Sequence, residues 1–185
     1  MQRKKYAENN FKGDNMLKEY DREKAVAYAR KWALDHNPAY ANYEFYGGDC
    51  TNYVSQCLRA GNIPFDNIGE HVLKKWYWYS EYSRTPTWTA AEPFYKYIVG
   101  NNSILTENYG VYARDAVYNE LELGDIVQLV YDNIAYHAMI VTDIILDGEY
   151  LIDYLICQHT YDLLDYPLSL KEGEQRYIKI LGYYQ

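Results

Sequence analysis

Apolar positions recur with helical spacing in the first half of the chain and with strand spacing toward its end. After Asp21, residues Ala25, Val26, Ala29, Trp32 and Ala33 fall on one helical face. This predicts an amphipathic helix to about His36, with Asp21 as N-cap and Asn37-Pro38 as its stop. A second stripe, Tyr53, Val54, Cys57 and Leu58, predicts a helix from Asp49 or Cys50 to Ala60, with Gly61 as its C′ residue. Thr89 and Glu92 have capping-box spacing, so Thr89 is expected to cap a third helix through Val99, with Pro93 in its first turn. The character changes after Leu123, where Gly124-Asp125 is a turn signal. Strands are expected over 126–131, 137–146, 149–160 and 176–184, with a hairpin at Asp147-Gly148. Helices followed by antiparallel strands predict an α+β fold, the N-terminal helices packed on an antiparallel sheet.

The length of 185 residues suits one domain. Residues 1–20 are polar and aperiodic and read as an N-terminal arm; residues 21–185 read as the domain. The chain carries 24 Tyr against 4 Phe, an aromatic content too high for a disordered acidic tail. Its net charge of −8 repels phosphate backbones, so no nucleic-acid partner is expected. No run approaches the ~18 apolar residues of a membrane helix. Met1-Gln2-Arg3-Lys4-Lys5 is basic but no apolar stretch follows, so as written it is no secretory signal. The compartment stays open: extracellular or cell-envelope if a leader has been removed, cytoplasmic otherwise. The oligomeric state is open as well.

The three cysteines, Cys50, Cys57 and Cys157, form no C-x-x-C pair, which argues against a disulfide framework or a zinc ribbon. Cys57 lies on the apolar stripe and reads as core, and Cys157 as a second buried thiol. Cys50 differs. Gly47-Gly48 leads into it and a helix leads out, so its sulfur is expected at a helix N-terminus, where unpaired N–H groups favour a thiolate. Such a nucleophile needs a base. His36 and His71 read as surface groups, whereas His137 opens one strand and His159 ends its expected partner. A two-residue hairpin loop would set His137 opposite Gln158 and a three-residue loop opposite His159, and periodicity does not choose between them. The run Trp76-Tyr77-Trp78-Tyr79 reads as core and half-buried surface before it reads as a stacking wall. Asp143 and Asp153 lack ligand spacing, so neither metal nor cofactor is expected.

The run from Gly48-Asp49-Cys50-Thr51-Asn52 to Cys57 resembles the nucleophile motif of the putative amidase domain family, a branch of the papain-like NlpC/P60 and CHAP cysteine hydrolases. The likeness extends through Tyr20-Asp21-Arg22-Glu23, Asn37-Pro38 with Tyr40, Leu123 with Asp125, His137-Ala138-Met139 and Gln158-His159-Thr160. It implies a papain-like, NlpC/P60-like fold in permuted order and a cysteine amidase or peptidase without cofactor. Its substrate would be a peptide or amide, peptidoglycan fragments of the cell wall among them. Cys50 would be the nucleophile and His137 the base. His159 would be the third polar member, with Gln158 as the orienting alternative and Asp162 behind both. Asp49 and Thr51 would bind substrate, as the flanking pair does in NlpC/P60 enzymes, or Asp49 would cap the helix. The Cys50 N–H is a better oxyanion donor than Glu44, whose charge would oppose an oxyanion. Competing readings are a catalytically silent binding module and a metal-dependent hydrolase using His137, His159 and aspartates.

Overall fold

The computed structural model describes residues 16–100 and 109–185. Helix α1 spans Arg22–Trp32, capped by Asp21, whose carboxylate accepts the Lys24 N–H at 3.1 Å. It ends four residues before the expected His36. The side chains of Asp35 and Asn37 accept the His36 and Ala39 N–H groups, and such local bonds compete with the helical ladder. Helix α2 spans Cys50–Ala60, and its residues from Cys50 to Leu58 are all buried. Gly61 follows it, but with φ −75° rather than the left-handed conformation of a C′ glycine. Close packing explains the residue instead, because a Cβ there would run into the Tyr20 ring.

A short hairpin of β1 (Trp78–Ser80) and β2 (Ser83–Arg84) leads to helices α3 (Pro86–Thr89) and α4 (Ala91–Gly100). Thr89 therefore ends one helix instead of capping the next. Its hydroxyl reaches back to the Thr85 carbonyl, and the Ala90 carbonyl accepts the Phe94 N–H.

Six strands follow: β3 (Gly110–Ala116), β4 (Ile126–Tyr131), β5 (Ile134–Asp147), β6 (Tyr150–Gln158), β7 (Leu163–Pro167) and β8 (Glu174–Tyr184). They form one antiparallel sheet in the order β3-β8-β4-β5-β6-β7. The fold is α+β, as the element order predicts. Alternation along the strands splits the core into two faces. Ala138, Ile140, Cys157 and Ile178 pack with α2, Trp76 and Trp88 on one face. Met139, Val141, Tyr154 and Ile156 pack with Leu121 and Leu168 on the other.

Two further points bear on the site. The β5–β6 pairing runs from Asp147↔Tyr150 to Ile140↔Cys157, with bulges, around a loop of Gly148-Glu149. Neither of the two expected registers is adopted. The second point is a clasp between the helices and the sheet. Arg22 donates to the Leu123 and Ile180 carbonyls and pairs with the buried Asp125 at 2.7 Å, while the Tyr20 hydroxyl donates to the Gly124 carbonyl. Residues 16–20, expected in the arm, join the domain: Lys18 pairs with Tyr183 of β8, and Tyr20 is buried. Among the described residues no helix is long and apolar enough to cross a membrane.

Candidate active site

Cys50 is the first residue of α2, so its backbone N–H has no partner within the helix. The segment before it turns sharply, with φ of +108° at both Gly47 and Gly48. Gly48 is also crowded, since a Cβ would lie 3.0 Å from the Thr160 hydroxyl oxygen. That close approach lets the Asp49 N–H donate to Thr160 Oγ1 at 2.8 Å, while the Thr160 hydroxyl donates to Glu44 at 3.2 Å. Glu44 is thus turned to the loop's own bonding. Cys50 is buried, with its sulfur 3.7 Å from Thr51 Oγ1 and approached by the Ala138 N–H. Burial pushes the Cys50 thiol up, and the Thr51 and Ala138 hydrogen bonds offset part of this.

Cys50 and Thr51 lie on the wall of a cleft of about 370 Å³. Tyr43, Tyr46, Gly47 and Gly48 line one part of it, Arg84 and the start of α4 another, and Ala135 and Tyr136 of β5 a third. A bulge shapes that third part. Leu129 pairs with His137, but the next pair is Val130 with Ala135, leaving Tyr136 as the extra residue. Bulges re-aim side chains and concentrate beside active sites. His137 follows this bulge directly and precedes Ala138, whose N–H meets the Cys50 sulfur.

His137 is buried and its Nε2 has no hydrogen-bond partner among the described residues. The same holds for the Gln158 side-chain oxygen. Gln158 anchors its amide nitrogen on the Thr160 and Tyr161 carbonyls, both at 2.9 Å. Burial pushes the His137 imidazole down to about 4; the Gln158 side chain works against this shift and the Lys171 charge adds to it.

His159 is directed elsewhere. Its Nδ1 lies 2.6 Å from Asp49 Oδ2 and its Nε2 2.7 Å from the Trp32 carbonyl. Its ring stacks on Tyr53, centroids 4.1 Å apart, and touches the His36 ring. Of the two residues considered beside His137, Gln158 acts on its imidazole, whereas both nitrogens of His159 are committed to other partners. His36, expected as a surface group, is half-buried with its Nε2 3.7 Å from Asp49. Asp49 is fully buried. Oδ1 accepts the Tyr43 N–H and the Asn52 amide, and Oδ2 faces His159. Asp49 occupies the N-cap position of α2, but its carboxylate accepts no backbone N–H of the first turn, and it does not line the cleft.

His36, Asp49 and His159 converge closely enough to suggest a metal site. The separation of His159 and Asp49 argues otherwise. Two ligands about 2.0–2.1 Å from a tetrahedral zinc lie roughly 3.3 Å apart, whereas 2.6 Å is a hydrogen-bond length.

Sequence reasoning missed Arg84, which lines the cleft and stacks on Tyr43 at 4.5 Å. Nothing in its local pattern marks it, because the hairpin β1–β2 brings it there. Trp76 is fully buried and donates to Ser55, so it is core and no part of a wall. Cys57 and Cys157 are free, buried thiols. Asp143 pairs with Arg30, and Asp153 accepts from Tyr118 and Ser169.

Residues 19–181 match the family described as a putative amidase domain. Two proteins of Bacillus subtilis (strain 168) are similar. The uncharacterized protein YjcM is 30% identical over 175 residues, 88% of this chain and 37% of that protein. The uncharacterized protein YhbB is 34% identical over 109 residues, 59% of this chain and 32% of that protein. The chain thus corresponds to about a third of each relative. No solved structure matches it.

Proposed function

Because the chain belongs to the putative amidase domain family, we propose that it hydrolyses an amide bond by cysteine nucleophilic catalysis, on a papain-like arrangement related to the NlpC/P60 enzymes. One observation carries this reading. The Cys50 sulfur sits at the N-terminus of a buried helix, on the wall of a cleft, against the N–H of the residue that follows a buried histidine with a bare ring nitrogen.

Burial favours the uncharged form of both groups, raising the Cys50 thiol and lowering the His137 imidazole. The resting pair is thiol and neutral imidazole, and His137 acts as a general base. It takes the thiol proton as the sulfur attacks the amide carbonyl. The backbone N–H of Cys50 donates to the developing oxyanion. His137 then protonates the leaving amine, leaving a thioester, and afterwards deprotonates the water that hydrolyses it. Gln158, whose side chain acts on the His137 imidazole, orients the ring, the role first considered for His159. Thr51, buried beside the sulfur, supports the thiol from the cleft wall.

The substrate class that suits this chemistry and the family resemblance is a peptide amide, with peptidoglycan stem peptides first. Mass spectrometry of muropeptides treated with the wild type and with Cys50→Ala tests the proposal. New cleavage products are expected with the wild type alone. Equal cleavage by both proteins would sink the cysteine mechanism, and binding without cleavage by both would make the domain a binding module.

A further inference from the structure

His159 lies between two groups that only accept hydrogen bonds. Its Nε2 faces the Trp32 carbonyl at 2.7 Å and its Nδ1 faces the Asp49 carboxylate at 2.6 Å. A neutral imidazole has one N–H and one bare nitrogen, so it can satisfy only one of them. At 2.6 Å a bare nitrogen facing a carboxylate would be two lone pairs in collision. A proton on each ring nitrogen resolves both contacts.

We infer that His159 is a positioning residue held as an imidazolium, whose ion pair with Asp49 fixes the start of α2 and cancels the carboxylate charge one residue from Cys50. This rests on the reading of Cys50 as nucleophile. The pair joins three elements at one point: α1 through the Trp32 carbonyl, the loop before α2 through Asp49, and the end of β6 through His159 itself. Asp49 extends the tie to Tyr43, a residue of the cleft wall, through the Tyr43 N–H at 2.9 Å.

The surroundings suit a cation. The groups facing the ring are Asp49, the face of Tyr53 from α2, the His36 ring from the segment after α1, and the charge of Asp162 from the turn after β6. A cation stacked on a tyrosine face is attracted by the ring quadrupole. Burial alone would push the His159 imidazole down, but the Asp49 and Trp32 hydrogen bonds and the two aspartate charges outweigh it and raise it.

The pair matters for the thiol because charge acts at short range in a dry site. Burial pushes the Cys50 thiol up, and the Asp49 charge adds to that. With His159 protonated, most of the added push is cancelled. Without it, Asp49 is a bare buried anion beside the nucleophile.

Two measurements test this. In ¹⁵N-resolved NMR of the intact chain at neutral pH, both His159 ring nitrogens are expected to carry protons; a bare Nδ1 would overturn the inference. The second is alkylation of Cys50 by iodoacetamide, followed by peptide mass mapping at a pH below the thiol pKa. His159→Gln is expected to alkylate about tenfold more slowly, the effect of one pKa unit. Adding Asp49→Asn is expected to restore the wild-type rate, since that pair is neutral again. Wild-type reactivity in the single variant, or no recovery in the double, would overturn the inference, because lost packing or lost hydrogen bonds alone are not repaired by removing the Asp49 charge. If His159→Gln does not fold, Asp49→Asn alone carries the test: His159 is expected to lose its Nδ1 proton at neutral pH, and retention of that proton counts against the pair. The NMR readout is independent of catalysis. Full hydrolysis by Cys50→Ala would therefore remove the nucleophile reading while leaving the ion pair standing.

Discussion

His137 on β5 and His159 just past β6 are both buried histidines close to the Cys50 helix, and they are bonded in opposite ways. His137 has an Nε2 without a partner and an imidazole pushed down to about 4, chiefly by burial. His159 has both nitrogens bonded, and its imidazole is raised because the Asp49 and Trp32 bonds outweigh burial. A group that moves protons needs a ring nitrogen left open to take one up, whereas one that fixes geometry is better saturated. Being a buried histidine beside the Cys50 helix, the property the two share, does not assign the role. The acceptors around each ring do.

The largest expected effect separates the two outright. His137→Ala is expected to lower kcat about 10³-fold, the range for loss of a general base. A loss of less than tenfold would end the contrast. The next effect is on stability. His159→Ala leaves Asp49 as an unpaired buried carboxylate, and urea unfolding is expected to show a loss of about 3–5 kcal/mol, clearly larger than for His137→Gln. The reverse order would mean that the saturated site is not the structural one.

The pH dependence gives a third, smaller effect of opposite sign at the two residues. The folded-state value of His137 lies below the ordinary 6.5, so its contribution is full above pH 6.5 and is lost as pH falls from there toward about 4. That loss amounts to about 3 kcal/mol for a shift from 6.5 to about 4. In His137→Gln the acid limb of the stability curve is expected to flatten by this amount, and an unchanged limb would contradict the burial argument. His159 runs the other way: its contribution is full below pH 6.5 and is lost as pH rises through its raised value, so His159→Gln flattens the alkaline side. The smallest effect concerns Gln158. Gln158→Leu is expected to lower kcat about tenfold with KM unchanged, as for loss of a group that orients a working histidine. A change in KM alone would assign Gln158 to substrate.

Much of the fold was legible. The stripe after Asp21 and the stripe on the Cys50 helix record which faces are buried, and the turn-bounded apolar runs beyond Leu123 record strands buried on both faces. The errors fall where local signals compete or where packing decides. Thr89 has the right spacing for a cap, but Pro86 starts a helix just before it. Gly61 looks like a C′ glycine, yet the Tyr20 ring is what requires it. Strands β3 and β7 lie at the two edges of the sheet and carry fewer buried positions than β4 and β5 between them. Cys50 was legible because Gly47-Gly48 and a helix start are local facts. The roles of Asp49, His159 and Arg84 were not, because each depends on a partner far along the chain: Asp49 and His159 are 110 residues apart.

The sequence by itself determined the element types, the α+β class, the position of Cys50 at a helix start and His137 as its candidate base. These follow from periodicity, turn residues and motif order, all short-range properties. The tertiary structure alone decided which polar residue stands beside His137. Hairpin register is set by bulges and loop geometry, which a two-residue period does not encode. The same long-range pairing put Tyr20 and Arg22 against Gly124 and Asp125, and turned the Asp49 carboxylate from the first turn of α2 to a buried histidine.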